Sequence, residues 1–69
     1  MNDDVTITEA RANLSEVVAT ARLQKRCIFL TQRRNRRGAV ISAELGEAIQ
    51  AAGGPETALK LLTAAAGQQ

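Results

Sequence analysis

The 69-residue chain has no histidine, tryptophan or tyrosine, and only one cysteine, one proline and one phenylalanine. Each shortage excludes something. With no histidine and only Cys27, the usual nitrogen and sulfur ligands of a zinc site are missing. A single cysteine cannot form an internal disulfide. There is no histidine for general acid–base or nucleophilic work, no glycine-rich phosphate loop, and no carboxylate pair at a suggestive spacing. The chain is therefore read as a non-enzyme that uses no cofactor and no metal. No apolar run approaches the ~20 residues needed to span a membrane. The lone cysteine and the lack of a leader pattern fit a reducing cytoplasm. With no partner to activate it, Cys27 is expected to be a buried strand residue.

Little is available for a core. Phe29 is the only aromatic residue and many apolar positions are alanine. A single domain of this length is marginal on its core alone. Disulfides and metals being excluded, association with a second copy is the remaining support, and at least a homodimer is expected.

Positive charge, by contrast, is concentrated. Residues 1–40 hold eight Lys and Arg against four Asp and Glu, a net of +4; residues 41–69 hold Lys60 against Glu44, Glu47 and Glu56, a net of −2. A basic front half points to an anionic partner, and the mildly acidic back half to a different one. Four of the arginines, Arg33, Arg34, Arg36 and Arg37, fall within five residues.

Residues 1–4 are polar and are expected to be frayed. Val5-Thr6-Ile7 alternates and is β-branched, which predicts a short strand. Thr8 is placed as the cap of a helix over about 8–23, with Glu9 in its first turn. Ala10, Leu14, Val17, Val18 and Ala21 form its apolar stripe. Residues 27–31 and 39–42 read as two strands of a hairpin, with the arginine cluster at its tip and Asn35 as the residue taking positive φ. Ser42 caps a third segment with Leu45, Ala48, Ile49 and Ala52 on one face. Gly53-Gly54-Pro55 ends it, and a last helix over about 55–66 carries Ala58, Leu61, Leu62 and Ala65 at helical spacing. The fold class is α+β: a short N-terminal strand, a helix, a β-hairpin, then one or two C-terminal helices. A hairpin alone is marginal, so two copies are expected to share one small antiparallel sheet.

The run Val5-Thr-Ile-Thr-Glu-Ala-Arg-Ala-Asn-Leu-Ser-Glu16 resembles the opening of the prevent-host-death/YefM antitoxins, a short strand followed by Ser/Thr-Glu-Ala-Arg-x-x-Leu. The similarity continues through Ile28–Thr31 and Ala39–Ser42, covering about residues 3–52. The resemblance implies a homodimer in which residues 1–52 form the DNA-binding and dimerisation domain and residues 53–69 a toxin-binding segment. It implies a type II antitoxin that autorepresses its operon on double-stranded operator DNA, alone or as a dimer of dimers, and neutralises a cognate toxin protein. Two departures stand out. The glycine common at the family's hairpin tip is replaced by Asn35, and Arg33 takes over from an arginine that is Gln32 here. The tail is short and lacks the acidic and aromatic residues that many relatives present to their toxins.

On this reading the candidate DNA contacts are Thr8, Arg11, Asn13, Arg33, Arg34, Arg36 and Arg37. Arg11 is expected near a helix N-terminus, where backbone N–H groups also favour phosphate and an arginine can reach a guanine edge. Two of the four hairpin arginines are expected on phosphate and two in solvent. Ala58, Leu59, Leu61 and Leu62 are the candidate toxin contacts, laid in a groove as an amphipathic helix; packing of the same helix on its own dimer is the plainer option. An orphan DNA-binding regulator without a toxin, and a module that binds an acidic protein surface, are the competing functions.

Overall fold

The computed structural model describes residues 3–67. Along the chain it comprises β1 (Asp4–Thr6), α1 (Ile7–Ala12), α2 (Leu14–Leu23), β2 (Ile28–Gln32), β3 (Asn35–Val40), α3 (Ala43–Ala51) and α4 (Pro55–Gly67). This is the α+β arrangement that the residue patterns predict. The sheet, however, is mixed and is built within one chain in the order β1-β2-β3. β1 lies parallel to β2, with Val5 opposite Leu30 and Thr6 opposite Thr31; β2 and β3 pair antiparallel, with Ile28 opposite Val40. The expected all-antiparallel sheet is thus corrected. Helices α1 and α2 form the crossover that a parallel pair requires, and β1 supplies a third strand.

One face of the sheet carries Val5, Ile28, Leu30 and Val40, and packs with Ala10, Val17 and Ala21 from α1 and α2. Among the described residues, three of the six buried apolar ones are alanines, while Leu14, Val18, Leu23, Leu45, Leu59, Leu61 and Leu62 remain exposed. The expected stripe of the first helix is therefore split. Ala10, Val17 and Ala21 are inside, whereas Leu14 and Val18 are 56% and 45% exposed.

The first helix also starts and breaks elsewhere than expected. Thr6, not Thr8, is its cap: the Thr6 hydroxyl accepts from the Glu9 amide at 3.1 Å and donates to the Glu9 carboxylate at 3.3 Å. Thr6-x-x-Glu9 is the spacing of a capping box. The continuous helix expected over 8–23 is two helices, interrupted at Asn13, whose backbone leaves the helical region at φ −129° and ψ 39°.

The N-terminal aspartates are anchored. The Phe29 amide donates to the Asp3 carbonyl at 2.6 Å, and Arg26 Nε donates to the Asp3 carboxylate at 2.9 Å. Of the residues expected to fray, Asp3 and Asp4 are thus held in place, and Met1 and Asn2 lie outside the described residues. Cys27 is exposed rather than buried: β2 begins one residue later, so Ile28 takes the core position.

The C-terminal half follows the expected punctuation. Ser42 accepts from the Leu45 amide at 3.2 Å and starts α3. At the other end Gly54 N–H donates to Ile49 C=O and Gly53 N–H to Gln50 C=O, the two bonds of a Schellman motif. Both glycines have positive φ. Pro55 then opens α4, and the Ala58 amide donates back to Gly54 C=O. No described helix is long and apolar enough to cross a membrane.

Candidate nucleic-acid interface

The hairpin geometry follows from an odd number. Ile28 and Val40 both face the core and pair, leaving eleven residues between them. A two-residue loop uses an even number, so one residue is left over. It can enlarge the turn to three residues, with Asn35 as its last, or bulge out of a strand. The chain does the second. Gln32 pairs with Asn35, Thr31 with Arg36 and Leu30 with Gly38, so Arg37 is the extra residue of a β-bulge.

The expected turn is therefore corrected. Asn35 is the first residue of β3, and Arg33 and Arg34 take positive φ, 53° and 68°. That is the pattern of a type I′ turn, which usually holds Asn-Gly. For arginine each such position costs roughly 1–2 kcal/mol.

The bulge decides where the arginines go. Arg33 and Arg34 form the exposed tip, and Arg37 is exposed beside it. Arg36 faces away from the core, on the same side as Phe29 and Thr31. Its guanidinium sits 3.8 Å above the centre of the Phe29 ring. Its Nε donates to an Asp4 carboxylate oxygen at 3.1 Å, and its Nη2 forms an ion pair with the same oxygen at 3.0 Å. Arg36 on β3 thus reaches across β2 to β1. Arg11, Arg33, Arg34 and Arg37 carry no ion pair among the described residues.

The parallel pairing of β1 and β2 has a further consequence. Both strands end at the same side of the sheet, β1 leading into α1 and β2 into the turn. Thr6 pairs with Thr31, so the start of α1 and the Arg33–Arg34 tip lie at one end of the sheet. Only Gln32 lies between that pairing and the turn, so Arg33 is two steps, roughly 7 Å of strand, from Thr31.

The α1 residues fit unevenly. Thr8 is exposed inside the first turn of α1. Arg11 is exposed but lies in the last turn of a six-residue helix, so its expected place beside helix-start amides is corrected. Any contact it makes is by its side chain alone. Asn13 is exposed, and its amide nitrogen is occupied by the Glu9 carbonyl at 3.2 Å.

The C-terminal candidates separate as well. Ala58 is buried where α4 folds back on α3, and so is withdrawn from any outside partner. Leu59, Leu61 and Leu62 are exposed. Between α3 and α4 runs an apolar groove of about 170 Å³, bordered by Leu45, Ile49, Ala52, Leu61 and Leu62. Leu59 faces the opposite way, beside Phe29, Arg36 and Arg37.

The bulge and the Arg36 contacts were not anticipated. Their signal lay in the odd spacing of Ile28 and Val40, but that spacing does not choose between a larger turn and a bulge. Among known proteins, no family model matches the chain, and no curated protein or solved structure shows significant similarity to it.

Proposed function

We propose that the chain is a DNA-binding autorepressor and antitoxin of the prevent-host-death/YefM kind, acting as a homodimer on double-stranded operator DNA and binding a toxin protein through its C-terminal helices. The observation that carries the reading is the exposed arginines Arg33, Arg34 and Arg37 at one end of the sheet, none of them in an ion pair among the described residues, with the start of α1 at the same end through the parallel β1–β2 pairing. Like charges gathered on a strained two-residue turn have no structural use of their own, and phosphate is the ligand that profits from them. The exposed leucines of α2, α3 and α4 support two protein contacts, one with a second copy and one with the toxin.

In this role Arg33, Arg34 and Arg37 bind phosphate, and Thr8 from the first turn of α1 and Arg11 from its last turn contact the duplex. A second reading, a DNA-binding regulator without a toxin, is favoured by the burial of Ala58, which shows α4 already docked on its own chain.

Titration of the full chain onto a labelled duplex taken from immediately upstream of its own reading frame tests the DNA half. Affinity is expected to fall linearly with salt on a log–log scale, and Arg33→Ser/Arg34→Ser/Arg37→Ser is expected to reduce that slope by about 2–3. Binding by the triple variant equal to that of the wild type would sink the reading. For the toxin half, the product of the adjacent gene is expected to co-purify with the wild type and not with Leu61→Glu/Leu62→Glu. Retention of neutralisation by that variant would favour the regulator instead.

A further inference from the structure

The hairpin has two ways to place its extra residue, and both keep Ile28 opposite Val40. In one, the turn has three residues, Gln32 pairs with Arg36, and Asn35, tolerant of positive φ, closes the turn. In the other, the one adopted, Arg37 bulges, Thr31 pairs with Arg36, and two arginines take positive φ. Local preference favours the first, since arginine is disfavoured in the left-handed region and asparagine is not.

The difference lies in where Arg36 points. Side chains alternate along a strand, and residues paired across strands share a face. Pairing with Gln32 would put Arg36 on the face of Ile28 and Leu30, the core side of the sheet, at its exposed end beside Gln32. Pairing with Thr31 puts it on the face of Phe29 and Asp4. There it stacks on the ring at 3.8 Å, donates through Nε to Asp4 and forms an ion pair with it. The bulged register therefore turns the cation away from the core side and gives it a carboxylate and an aromatic face.

We propose that Arg36 is a positioning residue, whose grip on Asp4 across Phe29 selects the bulged register and thereby makes Arg33 and Arg34 the projecting tip. It does not bind phosphate itself. Asp4 belongs to this device as its anchor. The effect on duplex binding rests on the function proposed above, whereas the register selection does not.

The test is NMR of the isotope-labelled full chain, as wild type, Arg36→Gln, Asp4→Asn and the double variant. Cross-strand Hα contacts identify the partner of position 36, and backbone couplings show which turn residues have positive φ. The wild type is expected to show Thr31 opposite position 36. Both single variants are expected to shift the balance toward Gln32 opposite position 36, with positive φ at Asn35, by roughly two- to fivefold, the scale of an exposed ion pair. The double variant is expected to shift no further than either single one. Adding Arg34→Gly to Arg36→Gln, which relieves the two-residue turn, is expected to restore the bulge.

An unchanged Thr31 pairing in Arg36→Gln and Asp4→Asn would overturn the proposal. Should Arg36→Gln fail to fold, Asp4→Asn decides alone, because it leaves every arginine in place. Duplex titrations add a second readout. If Arg36 only positions the tip, Asp4→Asn weakens binding although it removes a negative charge. If Asp4→Asn instead tightens binding and Arg36→Gln lowers the salt slope by about one, Arg36 is itself a phosphate contact and the proposal fails. Absence of duplex binding by the wild type would count against the proposed function and leave the register result standing.

Discussion

At positions 33 and 34 the backbone holds φ of 53° and 68° with arginine side chains attached. Asparagine followed by glycine would adopt the same turn with little strain. Arg33→Asn/Arg34→Gly is therefore expected to raise stability by about 1–2 kcal/mol in thermal or urea unfolding. The same variant is expected to lose duplex affinity, with the salt slope falling by about two. Opposite signs in the two measurements would mark the turn as one kept for its charge. At the same scale, the cap falls on Thr6 and not Thr8 for a reason that the residues contain. Thr6 has Glu9 three positions on, whereas Thr8 has Arg11. The capping-box spacing therefore distinguishes the two threonines before any fold is known. Cys27 is different, because nothing local tells a strand's first residue from the connection before it.

The helices and turns divide in the same way. The end of α3 was legible as Gly53-Gly54-Pro55, because positive φ, a Schellman motif and a proline start each demand their residue type. A Cβ at Gly53 would lie 3.2 Å from the Thr57 side chain, at a φ of +113°. Gly53→Ala is expected to cost about 1–3 kcal/mol, read as a lower urea midpoint for the C-terminal helices. The break at Asn13 was not legible. Asn13 is tolerated within helices, and its neighbours continue the apolar period. The interruption is seen only in the Asn13 backbone leaving the helical region, with its amide turned onto the Glu9 carbonyl. It reorients α2 so that Val17 and Ala21 reach the sheet while Leu14 and Val18 face outward.

For the whole molecule the decisive quantity is the thin core. Val5, Val17 and Ile28 are the only buried apolar residues larger than alanine among the described residues, against seven exposed large ones. Each leucine or valine that a second copy covers contributes about 1.5–3 kcal/mol. The unfolding midpoint is therefore expected to rise with chain concentration. Leu14→Glu/Val18→Glu is expected to abolish that dependence and to leave a monomer by sedimentation, if the α2 face is where the copies meet. A midpoint independent of concentration would mean that the chain stands alone. Several features follow from the residues alone: the α+β class, the hairpin, the cap at Ser42, the helix start at Pro55, and the cationic front half. They rest on period, propensity and charge, which act over a few residues. The tertiary structure decided the rest. A parallel β1 puts the start of α1 beside the hairpin tip, and a bulge at Arg37 turns Arg36 onto Asp4. Both depend on contacts between residues more than twenty positions apart, and such contacts leave no mark on local sequence because either alternative satisfies the same pattern of apolar residues.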